Sequence, residues 1–431
     1  MKLYSEALTL LRSSATQRTL PVETLPLMRT LERIVDEPVQ SPEEVPSFDN
    51  SAMDGFAVHA DRVKSASREN PVRFKVAGTI MAGDPPPQGQ SAELAWEIMT
   101  GAPMPLGPQN SVIKIEEVEV LRDSKGQAQE VIIRRPVEFE ENVRGRGEDF
   151  QIGQTVLAAG TRILPEHIMA LASLGIRSLR VRARPRIAII STGDELVDHE
   201  TESLQPGMIR NSTGPYLTTA ASLYGAEARF YGQVSDSIPK FLKLLEKARA
   251  ENPDIILTTG AVSMGKHDFI PDALKKIGAD ILYHKVAIRP GKPGIFAELP
   301  SQNGKPGPVF FGSPGNPIST AVALRFFVWP YLRELQRLPP ELPTTATLSQ
   351  PSSQPVSKPE GLRCFFKAHL EADEKGSRVI ALKGQPSFMV SPLLAANSWV
   401  IFPEEGSSMA AHSTVHVYPL YPLSDRKEGS L

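Results

Sequence analysis

The chain has a single cysteine, Cys364. This excludes an intramolecular disulfide and a thiolate zinc cluster, and a reducing, cytoplasmic setting is expected. No uninterrupted apolar run is long enough to span a bilayer, and Glu6 and Arg12 interrupt the first apolar stretch, so no membrane and no signal peptide are expected. Charge of one sign is also missing: 47 Lys and Arg stand against 49 Asp and Glu, a formal net charge of -2. That balance gives no global electrostatic case for nucleic acid, so any basic character must be local. The eight histidines show no HExxH motif. Neither GxGxxG nor GxxxxGK[ST] occurs, which speaks against a standard dinucleotide or P-loop site.

Proline, in contrast, is plentiful: 39 residues, about twice the usual share, which favours short strands and rigid turns over long helices. With 431 residues, 41% hydrophobic and 22% charged, the chain has a globular profile too long for one ordinary core. Roughly two to four domains are expected.

Apolar spacing predicts helix from residue 1 to about 40, with Tyr4, Leu8 and Leu11 on one face and Leu27, Leu31 and Ile34 on another. Short strands follow between Pro and Gly punctuation, clearest at 72–76, 97–99, 112–120 and 131–133. Residues 139–180 are mixed, with a helix from about Pro165 to Leu174. From 183 to 337 apolar runs (187–190, 228–234, 255–257, 286–288, 309–311) alternate with amphipathic helices, which implies a doubly wound, mostly parallel α/β sheet. Residues 338–358 look like a linker, and 363–370, 379–382, 399–402 and 415–418 predict a small β domain. The expected units are therefore 1–41 with 139–180 (helical and mixed), 42–138 (inserted, β-rich), 181–337 (α/β) and 338–431 (C-terminal β).

Ligands of open parallel sheets bind beyond the carboxyl ends of the strands. Four apolar runs lead directly into Gly- and hydroxyl-rich loops: Ser191-Thr192-Gly193-Asp194-Glu195, Thr258-Thr259-Gly260-Ala261-Val262-Ser263, Arg289-Pro290-Gly291-Lys292-Pro293 and Gly312-Ser313-Pro314-Gly315-Asn316-Pro317. Any one could be a tight turn, but four on one sheet edge point to a phosphate-bearing ligand, with Arg289 and Lys292 adding full charges. Asp194, Glu195, Asp236 and Asp268 lie in or after these loops, an oxygen-rich set that suits Mg²⁺ better than zinc. A second polar concentration, Phe48 to Val58, carries Asp49, Asn50, Ser51 and Asp54 before Gly55, and 142–149 is a charged loop with Arg144 and Arg146. Taken alone, each is equally a turn.

Together the segments FDNSAMDGFAV, IMTGAPMP, NVRGRGED, STGDEL, TTGAVSMGKHD, KVAIRPGKP and GSPGNPIST, in this order, closely resemble the molybdenum insertases. These are the molybdopterin molybdenumtransferases, the family of bacterial MoeA and the gephyrin E domain. The resemblance covers almost the whole chain and is weakest after about residue 340. It implies an elongated homodimer of four-domain subunits whose third domain is similar to molybdopterin adenylyltransferases. The implied activity is cleavage of adenylylated molybdopterin to release AMP, with Mg²⁺, and insertion of molybdate into the pterin dithiolene. Molybdopterin adenylyltransferase and molybdoenzyme apoproteins would be possible partners. A tungstate-handling homologue, or a non-catalytic scaffold with the same fold, stands as the alternative.

Carried over by position, the resemblance implies catalytic roles for Asp54, Thr100, Asp149, Glu195, Lys285 and Lys292. It implies ligand binding by Arg144, Ser263, Pro293 and Ser319 and metal binding by Asp268, Asp236 and Glu195, and the strand-end loops add Ser191, Thr192, Gly193, Gly260, Arg289, Pro314, Gly315 and Asn316 as ligand-binding candidates. The chain departs from the family pattern at Gly145 (usually Arg), Asn211 (Asp), Thr213 (Asn), Ala261 (Gly), Lys266 (Glu) and Arg289 (Lys).

Overall fold

Strands Arg186–Thr192, Ile255–Thr259 and Val309–Ser313 are buried along nearly their whole length, as strands covered on both faces must be. The computed structural model describes every residue except 90, 263–268, 303, 305, 351–353, 375 and 423–431. The six strands run in the order Glu227–Val234, Arg186–Thr192, Ile255–Thr259, Val309–Ser313, Ile295–Glu298, Asp280–His284. Side chains alternate between two cores: Ile187, Ile189, Leu257 and Phe311 face one, Ala188, Ile190, Ile256 and Phe310 the other. Helices Thr213–Leu223, Pro317–Ala323 and Trp329–Leu335 cover the first face, and Ile238–Arg249 and Ile270–Lys276 the second.

The first four strands are parallel, but Asp280–His284 and Ile295–Glu298 are antiparallel to their neighbours. The run expected at 286–288 does not belong to this sheet. Only Ile288–Arg289 is a strand, and it pairs with Arg363 and Cys364 of the C-terminal unit. A parallel connection needs a crossover of about a dozen residues, and the short turn after His284 permits only a reversal.

The N-terminal helix is also shorter than expected. It spans Tyr4–Thr16, and Val22–Pro26 is instead a strand pairing with Ser178–Arg182. Pro21 and Pro26 cannot continue a helix interior. Its buried stripe, Tyr4, Ala7, Leu11 and Ala15, packs into the core of the α/β unit. Leu27, Val35, Leu157, Ile163, Leu171, Leu179 and Val181 form a separate small core with helix Pro165–Ser173.

The inserted segment is a six-stranded sheet in the order Ser111–Lys114, Gly55–Val58, Leu94–Ile98, Val72–Ile80, Ala128–Ile133, Val118–Arg122. The expected single run at 112–120 is two strands separated by a 3-10 turn at Ile115–Glu117. At the C-terminal end, Arg363–Asp373, Gly376–Ala381, Thr344–Leu348, Thr414–Pro419 and Ser398–Phe402 close on themselves, because Ser398–Phe402 also pairs with Arg363–Asp373. The expected linker thus supplies a barrel strand. Ala346 and Leu348 point inward at a spacing of two, a pattern masked in sequence by the surrounding Thr, Pro and Ser. Cys364 is buried in this barrel, which pushes its thiol up and leaves it a packing residue. Among the described residues no helix is long and apolar enough to cross a membrane.

One barrel residue breaks the apolar pattern. Lys367 has no solvent exposure, and its Nζ donates to the carbonyls of Met389 at 3.0 Å and Pro386 at 3.5 Å. Burial lowers its ammonium from the ordinary 10.5 to about 8. Between those values the unfolded chain holds a proton that the folded chain has lost, so this residue's contribution rises with pH and is lost as pH falls through 8. In urea titrations, the stability difference between wild type and Lys367→Met should move in favour of wild type from about pH 7 to about pH 10. A difference independent of pH would show that the ammonium is solvated.

Candidate functional site

The ends of three parallel strands are knotted together by hydroxyls. Thr192 Oγ1 donates to the Thr259 carbonyl at 3.1 Å, and Thr259 Oγ1 donates to Ser191 Oγ at 3.3 Å. Thr213 Oγ1 lies 3.2 Å from Thr259 Oγ1, and the Gly260 amide donates to the Ser313 carbonyl at 2.9 Å. Ser191 and Thr192 were expected in a ligand loop; they are the last strand residues, buried, with hydroxyls committed to neighbouring strands. They set the shape of the edge rather than lining the cleft. Gly260, at φ +93°, sits so close to the first strand that a Cβ would meet the Thr192 carbonyl oxygen at 2.3 Å, and a Cβ added at Gly315 would lie 3.6 Å from the Gly260 Cα. Gly193 is crowded in the same way by the carboxylate of Glu195. Asp194 Oδ1 accepts the Asp236 amide at 3.2 Å.

Beside this edge opens a cleft of about 640 Å³. One wall is the loop after Ile288–Arg289, with Arg289, Lys292 and Pro293; the floor carries Pro314, Asn316 and Ser319 at the start of helix Pro317–Ala323. Arg289 and Lys292 are exposed, whereas Ser319 is buried. The loop closes on itself: the Val286 amide donates to the Lys292 carbonyl and the Lys285 amide to the Gly294 carbonyl, both at 2.9 Å. Lys285 stands behind it at φ +77°, outside the cleft lining. The barrel also contributes to the lining, with Pro359, Leu362, Phe366 and the segment 385–388, none of which the sequence singles out as site residues. The only signal for that segment was its composition, Gln385-Pro386-Ser387-Phe388 between two strands.

A second polar surface forms in the inserted segment, where three separate motifs meet. Val143–Arg144 pairs with Asn50–Ser51, the Ala52 amide donates to the Asn142 carbonyl, and the Gly101 amide donates to Ser51. Asp54 Oδ1 accepts both the Thr100 amide at 2.7 Å and the Thr100 hydroxyl at 2.8 Å. Those two bonds hold its carboxyl below the ordinary range although it is fully exposed, so it is an anion at neutral pH. The Arg146 amide caps Asp49 at 2.7 Å, and Arg146 also pairs with Glu44. Arg144 and Asp149 are exposed. Asp54 and Thr100 are thus bonded to each other and Arg144 lies on the strand paired with Asn50–Ser51, while none of Asp54, Thr100, Arg144 and Asp149 is among the residues lining the cleft.

Ser263, Lys266 and Asp268 lie outside the described residues. Among the described residues no group of three His, Cys, Asp or Glu is arranged to hold a metal. Two of the departures bear on local backbone. Asn211 Oδ1 accepts the Gly214 amide at 3.0 Å, an acceptor role an Asp would fill equally, while its Nδ2 is buried without a partner. Ala261 occupies the left-handed region at φ +51°, where a glycine is easier.

Gly260→Ala should be the most damaging single methyl at this edge. The clash with the Thr192 carbonyl has no flexible side chain to relieve it, so a loss of about 2–3 kcal/mol in chemical denaturation is expected. A variant within about 0.5 kcal/mol of wild type would mean that the edge is free to open.

Comparison with known proteins places these surfaces in context. A family profile described as the MoeA N-terminal region (domain I and II) matches residues 3–175, and one described as a probable molybdopterin binding domain matches residues 188–334. A molybdopterin molybdenumtransferase of Synechococcus elongatus is 35% identical over 418 residues, 97% of this chain and 99% of that protein. The Bacillus subtilis protein of the same name is 32% identical over 397 residues, 92% of this chain and 89% of its own. A crystal structure of a molybdopterin biosynthesis MoeA protein from Pyrococcus horikoshii matches with a TM-score of 0.80 at 27% identity, covering 98% of this chain and all of that one. With similarity of this extent along nearly its whole length, the chain belongs to the molybdopterin molybdenumtransferase family.

Proposed function

We propose that this protein binds adenylylated molybdopterin, releases AMP by hydrolysis of the pyrophosphate link, and inserts molybdate into the dithiolene to give molybdenum cofactor. The observation that carries this reading is the cleft whose stiff loop presents Arg289 and Lys292. Two exposed cations on a Pro/Gly-bounded loop, with Asn316 heading a helix that lines the same cleft, form a preorganised receiver for phosphate and for a tetrahedral oxyanion. The single thiol is buried in the barrel, so the sulfur that binds molybdenum belongs to the substrate.

Glu195 and Asp236 supply only oxygen donors, the right chemistry for a hard cation. Together with Asp268 they would hold Mg²⁺, which would offset the charge of the pyrophosphate. The test of the function is AMP release from adenylylated molybdopterin, measured with and without molybdate and Mg²⁺. In that assay Lys292→Ala should lower turnover by about 10²–10³, the usual range for one preorganised oxyanion contact. Turnover and pterin affinity both within twofold of wild type would remove the loop from the mechanism.

We further propose a homodimer in which Asp54 and Thr100 of one subunit face the cleft of its partner. Support comes from the ionised, exposed Asp54, which is bonded to Thr100 yet is not among the residues lining the cationic cleft of its own chain. A closed two-fold dimer would build two such shared sites. Asp54→Ala and Lys292→Ala homodimers should each be nearly inactive. A mixed dimer of the two would carry one intact site and recover toward half the wild-type rate. Mixed dimers as inactive as both parents would place the two residues in one subunit's site.

A further inference from the structure

Phe388 is 68% exposed, an unusual position for a phenyl ring on a loop that is otherwise tightly held. The loop is fastened from the barrel side by Gln385, whose Oε1 accepts the Lys367 amide at 3.0 Å and whose Nε2 donates to the carbonyls of Lys367 at 2.9 Å and Leu382 at 2.7 Å. Lys367 Nζ holds the carbonyl of Met389 from below. From the α/β side, the Ile318 amide donates to the Ser387 carbonyl at 3.0 Å. The ring is thus presented at the cleft, where it is one of the lining residues, by a backbone anchored on both sides. The same cleft is lined by Arg289 and Lys292. A ring and two cations lining one cleft match a ligand in which a planar heterocycle is joined to phosphate.

We infer that Phe388 is a ring-recognition residue, stacking on a heterocycle of the substrate while Lys292 and Arg289 take its anionic groups. This rests on the proposed insertase function and deepens it, because it assigns the recognition of the organic part of the substrate to the barrel. Adenine and pterin share the required chemistry. A fixed aromatic face pays little ordering entropy on binding, since the loop is already held. Base–aromatic stacking tolerates either ring.

The test is titration of wild type, Phe388→Ala, Phe388→Trp and Lys292→Ala with AMP, with a phosphorylated pterin and with inorganic pyrophosphate. Phe388→Ala should weaken whichever ring compound uses this wall by about tenfold, with no comparable loss for ring-less pyrophosphate. Phe388→Trp should retain affinity, and its indole emission should change with that same ligand, which identifies adenine or pterin as the stacked ring. Lys292→Ala should weaken all the phosphate compounds. If Phe388→Ala binds AMP and the pterin within twofold of wild type while Lys292→Ala binds neither well, the ring assignment is overturned and the proposed function stands. If Lys292→Ala also binds them normally, the ring assignment is overturned and the cationic loop is removed from the mechanism, while the function itself is decided by the AMP-release assay.

Discussion

The cleft depends on one junction: the barrel docked against the α/β unit. Strand Ile288–Arg289 leaves the central fold and pairs with Arg363 and Cys364, so the cationic loop begins on barrel backbone and ends on Ile295–Glu298 of the central sheet. Behind it the junction is aromatic. Phe326 stacks on Phe365 with centroids 4.3 Å apart, and Tyr4 stands edge-on to Phe365 at 5.5 Å and Phe327 at 5.4 Å. Each such ring removes a large apolar area from water and adds a directional preference. Arg325 completes the contact. It is buried, bonded through two nitrogens to Glu341, with its Nε on the Pro419 carbonyl, while Trp329 Nε1 also donates to Glu341. A buried guanidinium with its donors matched in this way orients the two units, since any other docking would leave the charge unpaired.

Rigidity and exposure are divided between the two sides of the site. The strand-end hydroxyls of Ser191, Thr192 and Thr259 are buried and spent on one another, so the edge is a fixed platform. The charged groups, Arg289 and Lys292 on the loop and Asp54 on the inserted sheet, are exposed to water. Holding the platform by hydroxyls and leaving the charges solvated avoids the desolvation cost of storing ions in the interior. Lys367 is the exception; its charge is buried to hold a wall, and it meets carbonyls rather than a carboxylate.

Two departures from the family pattern bear on local backbone rather than on ligands. Asn211 provides the acceptor that starts helix Thr213–Leu223, and its unmatched amide nitrogen is the residual cost. Ala261 adopts a positive φ one residue after Gly260, a conformation that costs a non-glycine residue roughly 1–2 kcal/mol. Its carbonyl nevertheless accepts the Ile270 amide at 3.2 Å, so the strain is tied to the start of the next helix.

By itself the sequence determined the parallel core and the identity of the motifs. Runs such as Ile187 to Ile190 and Ile255 to Leu257 can be buried only between two helical layers, and seven segments in order carry the family resemblance. The pairing partners were decided only by tertiary structure. Nothing local distinguishes Ile288 as a barrel strand, Thr344–Leu348 as a barrel stave or Val22–Pro26 as a partner of Ser178–Arg182, because strand pairing is a long-range choice made by which edges are free. For the same reason the charged wall of the cleft was legible, since cations in a Pro/Gly loop announce themselves. The part of the lining bearing Phe366 and Phe388 was not, because an aromatic in a strand or a short loop acquires meaning only when the fold brings it into the same cleft as the charges.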